Sequence, residues 1–532
     1  MNGTITRIRG ATVRVAMQGL RLHDRVFVGR QRLTGEVVQL ERRGAVVQVF
    51  ENTRGLGIDE PVASCGAPLQ VVLGPGLLGS IFDGLQRPLT GLLAEQGPFL
   101  QPGGNAPPLD PQRRWSLTPV SQSGAFLDEG GCYGEVPEGG LTHRLLAPRS
   151  GRLTASLSSD EIAAPAPLAH FDDGEELTLH QLWPVRKPRP CRRRLPLTRP
   201  LITGQRCIDF LFPLMKGGVA IIPGGFGTGK TVLEQSIAKF ADADVVVYVG
   251  CGERGNEMAS LLDEFSQLTG KDGRPLLERT IVIANTSNMP VAAREASIFT
   301  AVTMAEYYRD MGYDVLFLAD SLSRWAEALR EIASSLEEMP GEEGYPTSLS
   351  SRLAAFMERA GEVETCSGRI GSLTMLLAVS PPGGDFSEPV TQACLRVASA
   401  FYMLDTSLAH ARHFPAIHWG ESYSLYGARG AEQFAQMVDP LWQELQRRCR
   451  ELLQQEEALR EVAEVVGMEG LQPRDRKLMR IAEQIRRDFL CQNSYDDKDA
   501  YATPEQTFTR IAAILADAEN EEGEKGESDA SG

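Results

Sequence analysis

The sequence has no uninterrupted apolar run near the roughly 20 residues a membrane-spanning helix needs, and its N-terminus lacks a charged-then-apolar leader. Both absences lead to the expectation of a cytoplasmic chain, at most peripheral to a membrane. Cys-x-x-Cys pairs are also missing, for the nine cysteines are scattered and do not cluster with the seven histidines. Reduced thiols are expected and a zinc site is not. Positive charge is the scarcer sign: 54 Lys and Arg against 70 Asp and Glu give a formal net charge of −16. No stretch interleaves aromatic with basic residues, so nucleic-acid binding, which depends on phosphate neutralisation, is not expected. What remains is an ordinary globular composition, 42% hydrophobic and 23% charged over 532 residues. That length has room for about three domains, each with its own core.

The first 70 or so residues alternate in short stretches such as Thr12-Val13-Arg14-Val15 and Ala45-Val46-Val47-Gln48-Val49, punctuated by Gly10, Gly29, Gly35 and Gly44. This spacing suits a small β-barrel. From there to about residue 190 the chain is rich in Pro and Gly and reads as an irregular, β-rich insertion, with strand character around Gly151–Ala155. The run Arg192-Arg193-Arg194 reads as a solvated linker in preference to a polyanion site, given its flanking prolines. Residues 200–430 alternate buried-strand runs (Val219–Ile222, Val245–Val249, Thr280–Ala284, Val315–Ala319, Leu373–Val379) with helical patterns, as an open parallel α/β sheet requires. Residues 431–515 have helical spacing, most clearly from Leu441 to Val466, and the acidic stretch from Asp517 onward is expected to be disordered.

Gly224-Gly225-Phe226-Gly227-Thr228-Gly229-Lys230-Thr231 follows the first of those strands and opens a helix beginning at Val232. This is a phosphate-binding loop in context: backbone N–H groups curl around phosphates at a helix N-terminus, Lys230 supplies a point charge and Thr231 a hydroxyl for Mg²⁺. Tyr313-Asp314-Val315-Leu316-Phe317-Leu318-Ala319-Asp320 is an apolar strand ending in an acid, the usual source of a metal-associated carboxylate in such proteins. Val249-Gly250-Cys251-Gly252-Glu253-Arg254-Gly255 puts a carboxylate and a guanidinium just beyond another strand. Hydrolysis of a γ-phosphate needs a group that orients and deprotonates water, and Glu253 is the best-placed carboxylate for it. The blander alternative is a surface ion pair between Glu253 and Arg254. Arg324, one helical turn past Asp320, suits phosphate contact or the bracing of a subunit interface equally well.

These stretches, together with Ala284–Ser297, Ser323–Ile332, Met339–Pro346 and Ser380–Gln392, resemble the catalytic A subunit of the V/A-type rotary ATPases. The resemblance runs from the N-terminal barrel to about residue 515 and is strongest from 200 to 430. It implies a multidomain fold: an N-terminal β-barrel (1–70), a linker and β-rich insertion or bulge domain (71–199), a central α/β RecA-like P-loop nucleotide-binding domain (200–430), a C-terminal α-helical domain (431–515) and a disordered acidic tail (516–532). It also implies ATP or ADP with Mg²⁺ as ligands, held by Gly224–Val232, with Thr231 and Asp320 at the metal. Glu253 would then be the general base, and Arg254 and Arg324 would contact the γ-phosphate or position Glu253. Phe414 matches the family's aromatic against adenine, with Tyr495 or Tyr501 on its other side.

The partners implied are a B-type subunit in an A₃B₃ ring, central shaft subunits reached by the Pro340–Pro346 loop, a peripheral stalk and a membrane ion-translocating sector. Family members supply an arginine finger from a Ser-x-Ser-Arg segment of the B-type subunit. The matching stretch here, Ser422-Tyr423-Ser424-Leu425, has leucine at that place, so this chain reads as a finger's acceptor. Gly225, Thr228 and Leu322 stand where the family usually carries Pro, Ser and Thr, and the insertion between about 110 and 190 is shorter than usual. A non-catalytic ring subunit would be expected to have lost the loop lysine or the glutamate, and both Lys230 and Glu253 are present. A RecA-like nucleic-acid motor would share the core but conflicts with the acidic balance.

Overall fold

The computed structural model describes residues 2–97, 101–104, 106–154, 161–163, 166–270, 273–496 and 498–529. The chain forms two compact units, Met1–Leu195 with Ala243–Leu377, and Pro196–Asp242 with Ala378–Gly532. The 200–430 span therefore contributes to both.

In the first unit the strands Asn2–Arg9, Thr12–Ala16, Asp24–Val28, Leu33–Glu41, Gly44–Val49 and Pro61–Pro68 close into a barrel in the order 1-2-5-4-3-6. Alternation decides which side chains fill it: Val13 and Val15 point inward to join Ile5, Val26, Val37 and Val47, while Arg14 between them faces out. The insertion that follows consists of short two- and three-stranded sheets over a core that includes Trp115, Tyr133, Val136 and Phe171.

The expected buried runs of this unit form parallel strands. Val245–Glu253 lies between Thr280–Thr286 and Asp314–Asp320, and the latter pairs with Ile370–Val379. Long apolar runs are required because helices cover such a sheet on both faces. Helix Val291–Asp310 is buried along most of its length and packs on Val245–Glu253 and Asp314–Asp320. Arg186 ties it to the barrel, donating to Glu36 at 2.7 Å and to Glu295 at 2.7 Å. The Arg192–Arg194 stretch is not a free linker. Arg193–Leu195 is a strand paired antiparallel with Gly361–Glu364, and Arg192 and Arg193 both reach the Glu364 carboxylate, although their guanidinium groups stay exposed. Pairing with a partner so distant in sequence overrides the local proline signal.

The second unit holds strand Val219–Pro223 in parallel with Ala400–Phe401, and helix Lys230–Phe240 leaves its loop. Its C-terminal part is helical, with Gly427–Met437, Trp442–Val466, Pro473–Gln484 and Pro504–Asp529. Trp442 is fully buried, stacked on Phe434 at 4.8 Å and on Phe508 at 6.2 Å. Helix Pro504–Asp529 carries the backbone into the acidic tail, and 530–532 fall outside the described residues. Ala512, Ala513, Ala516 and Ala518 are strong helix formers that continue a turn already begun.

Candidate functional site

In the second unit the phosphate loop has the conformation its glycines permit. Gly229 caps helix Lys230–Phe240 at φ 85°, a left-handed position that a side chain would strain. The Lys230 ammonium donates to the Gly224 carbonyl at 2.5 Å and the Gly225 carbonyl at 3.0 Å, and the Thr228 hydroxyl donates to Gly225 at 2.9 Å. Phe226 at the loop tip is exposed, and Thr231 and Val232 in the first helical turn are half-buried. This is a row of backbone donors with a cation at a positive helix end, which suits di- and triphosphates.

Phe414 sits beside this loop, as a Cβ placed on Gly229 would stand 3.3 Å from its ring. Its carbonyl accepts from the Gln492 N–H at 2.7 Å, and the Gln492 side chain is fixed in turn by the Gly204 carbonyl and the Arg206 N–H. Burial, with Arg486 nearby, pushes the adjacent His413 down to about 4, so that ring is neutral at physiological pH. The two candidate tyrosines separate. Tyr501 has a face stacked on Phe240 at 5.4 Å, at the far end of the helix and roughly 15 Å along it from Gly229. Tyr495 is 85% exposed. Gln492 and Arg206, which set the Phe414 loop, carried no signal in the sequence.

In the first unit the strand pairing delivers the carboxylates. Gly250 pairs with Asp320, and a register shift between Cys251 and Glu253 swings the end of the strand so that Glu253 closes it opposite Thr286. Asp320 is buried at its own strand end. The Glu253 carboxyl is pushed up to about 8, first by burial, then by the nearby Asp320 charge and a hydrogen bond with Glu257, against the opposing pull of Arg324. Arg324 is half exposed and bridges Glu327 at 2.9 Å. Arg254 caps helix Gly255–Gln267 and reaches Glu257 at 3.5 Å, an exposed contact of little energetic weight.

A third arginine, unanticipated as a site residue, joins this group. Gly252, at φ 74°, leaves room where a Cβ would meet Arg294 Nε at 2.8 Å and Arg324 Cβ at 3.0 Å. Arg294 comes from the first turn of helix Val291–Asp310, donates to the Ser287 carbonyl at 3.1 Å, and keeps a buried Nε without a partner among the described residues. Its place one turn into the helix after strand Thr280–Thr286 was the signal that could have found it. No group of three or more metal-binding side chains occurs among the described residues. Asp320 in this unit and the Thr231 hydroxyl in the other each offer a hard oxygen donor of the kind Mg²⁺ takes.

Four family descriptions match the chain: "ATP synthase alpha/beta family, beta-barrel domain" over 5–66, "ATPsynthase alpha/beta subunit barrel-sandwich domain" over 106–186, "ATP synthase alpha/beta family, nucleotide-binding domain" over 204–424 and "C-terminal domain of V and A type ATP synthase" over 431–530. The chain therefore belongs to the ATP synthase alpha/beta family of P-loop nucleotide-binding proteins. Within it the chain falls among the A subunits of A-type and the alpha chains of V-type ATP synthases, catalytic subunits of rotary ATPases that couple ATP turnover to ion transport. It is 51% identical to the second A-type ATP synthase A subunit of Methanospirillum hungatei, over 97% of this chain and 89% of that one. Identity is 50% to the A-type ATP synthase A subunit of Methanopyrus kandleri (97% and 89% covered) and 51% to the V-type ATP synthase alpha chain of Anaeromyxobacter sp. strain K (97% and 90%). The solved structure of the assembled ATPase EscN from the type III secretion system of enteropathogenic E. coli has the same fold, with a TM-score of 0.69 at 22% identity over 96% of this chain and 100% of that one.

Proposed function

We infer that the chain's own residues divide the work of ATP turnover as follows. Lys230 and the loop amides of Gly224–Val232 hold the β- and γ-phosphates, and Phe414 lies against adenine with Tyr495 as the free candidate for its second face. Thr231 and Asp320 are the Mg²⁺ ligands, direct or through water. Mg²⁺ bound there neutralises charge on the phosphates. Glu253 orients the attacking water and takes its proton, while Arg324, Arg254 and Arg294 position Glu253 or meet γ-phosphate charge.

The observation that carries this reading is Glu253 itself, a carboxylate closing a strand beside Asp320, lifted to about 8, which is the poise of a base working near neutral pH. Replacement Glu253→Gln tests it: the amide keeps shape but cannot accept a proton. Turnover by the assembled complex should fall by roughly 10²–10⁴ with nucleotide binding nearly intact, and a near-parental rate would overturn the role.

The reading extends to partners. Leu425 is 74% exposed at the end of strand Tyr423–Ser424 and has no donor to offer phosphate. A B-type subunit in an A₃B₃ ring supplies the arginine in trans. Glu342–Gly344 forms a short turn in an exposed acidic loop, which faces the central shaft. No described helix is long and apolar enough to cross a membrane. The chain works peripherally, on the cytoplasmic side, with a peripheral stalk and a membrane sector that carries H⁺ or Na⁺.

A further inference from the structure

Cys191 and Cys366 meet where the insertion returns to the central sheet. Arg193 pairs with Glu364, and the Arg192 N–H also donates to the Glu364 carbonyl, so the two chains run antiparallel up to both cysteines. The Cys366 thiol points at the carbonyl of Pro190, the residue bonded to Cys191, with Sγ 3.9 Å from that oxygen. Both thiols are half-buried. The insertion rests on the same point: a Cβ on Gly130 would stand 2.5 Å from the Cys366 Cβ, and Arg189 is bridged to Asp310 at 2.6 Å just before Cys191. Cys207 and Cys449, also in electrostatic reach of each other, are fully buried, where an oxidant does not reach.

We propose that Cys191 and Cys366 are a modification site, closing to a reversible disulfide in the presence of hydrogen peroxide and so fastening the insertion's return strand to the sheet. Burial and the Asp310 and Glu129 charges push the Cys366 thiol up against the pull of Arg189, which suits Cys366 to the second, resolving step. Cys191 takes one oxygen of hydrogen peroxide as the O–O bond breaks, giving a sulfenic acid and water. The Cys366 sulfur then displaces that hydroxyl, which leaves as water with the second thiol proton. Two thiols lose two electrons, and the peroxide gains them. In a reducing compartment the bond opens again once the oxidant is gone.

The test uses the purified full chain, treated with a small excess of hydrogen peroxide, alkylated and mapped by mass spectrometry. The expected result is one linked pair of peptides carrying Cys191 and Cys366, about 2 Da lighter than the reduced pair. Two of the nine thiols should be lost and then restored by dithiothreitol. Cys191→Ser and Cys366→Ser should each abolish the link. Finding both cysteines still alkylated after peroxide, each oxidised separately to the sulfinic or sulfonic acid, or either linked to Cys65, Cys132 or Cys491 would overturn it.

Discussion

Glu253 is held in a state that folding alone would not choose. Its carboxyl stands near 8 in the fold against an ordinary value of 4.5, because burial and the Asp320 charge disfavour the anion. Between those values the folded chain keeps a proton that the unfolded chain has released, so stability falls as pH rises through the window. Glu253→Gln has no such penalty. The nucleotide-free variant should therefore melt higher than the parent near pH 8 but not near pH 5, by something of order 1–3 kcal/mol in stability. Equal melting at both pH values would mean that the carboxyl is not lifted. Arg324 acts in the other direction, and removing its charge in Arg324→Gln should move the acidic limb of the pH–rate profile further toward alkali. The sequence made Glu253, Asp320 and Arg324 candidates because each sits at or just past the end of an apolar run. Arg294 was marked only by its place one turn into the helix after strand Thr280–Thr286, and its approach to them depends on the register shift at Gly252. The sequence did not disclose that Tyr501 is engaged by Phe240, a contact between residues 261 apart in sequence.

At the level of elements, what the sequence disclosed best was what local pattern decides: five apolar runs became Val219–Pro223, Val245–Glu253, Thr280–Thr286, Asp314–Asp320 and Ile370–Val379, and the helix expected from Leu441 begins at Trp442. Pairing across long separations was hidden, which is why Arg193–Leu195 looked like a linker before its antiparallel partner Gly361–Glu364 was visible. Loop Pro340–Pro346 is closed by the Gly341 N–H donating to the Tyr345 carbonyl at 2.7 Å, which leaves Glu342, Glu343 and Gly344 exposed. Glu343→Cys in the intact complex should crosslink to one of the central shaft subunits, as read by gel mobility and peptide mapping. Crosslinks only to components outside the ring would remove the loop from the shaft.

The whole molecule is assembled from discontinuous segments: the phosphate loop belongs to the unit of Pro196–Asp242 and Ala378–Gly532, and Glu253, Asp320 and Arg324 to the other. Such a partition cannot be read from local pattern, because it depends on where distant segments pack. The chain also carries an exposed leucine, Leu425, where a finger donor would carry arginine. A γ-phosphoryl transition state gains about 10³–10⁵ in rate from such an arginine, so identical copies of this chain could not complete one another through that position. On the proposed reading the ring would then alternate two kinds of subunit. The most direct test compares steady-state ATP hydrolysis by the purified chain alone, by the chain assembled with its B-type partner, and by the chain assembled with a partner whose Ser-x-Ser-Arg arginine is replaced by alanine. The account predicts slow hydrolysis alone, a large gain on assembly and loss of that gain with the alanine partner. Full activity from the isolated chain, or an undiminished rate with the alanine partner, would contradict it.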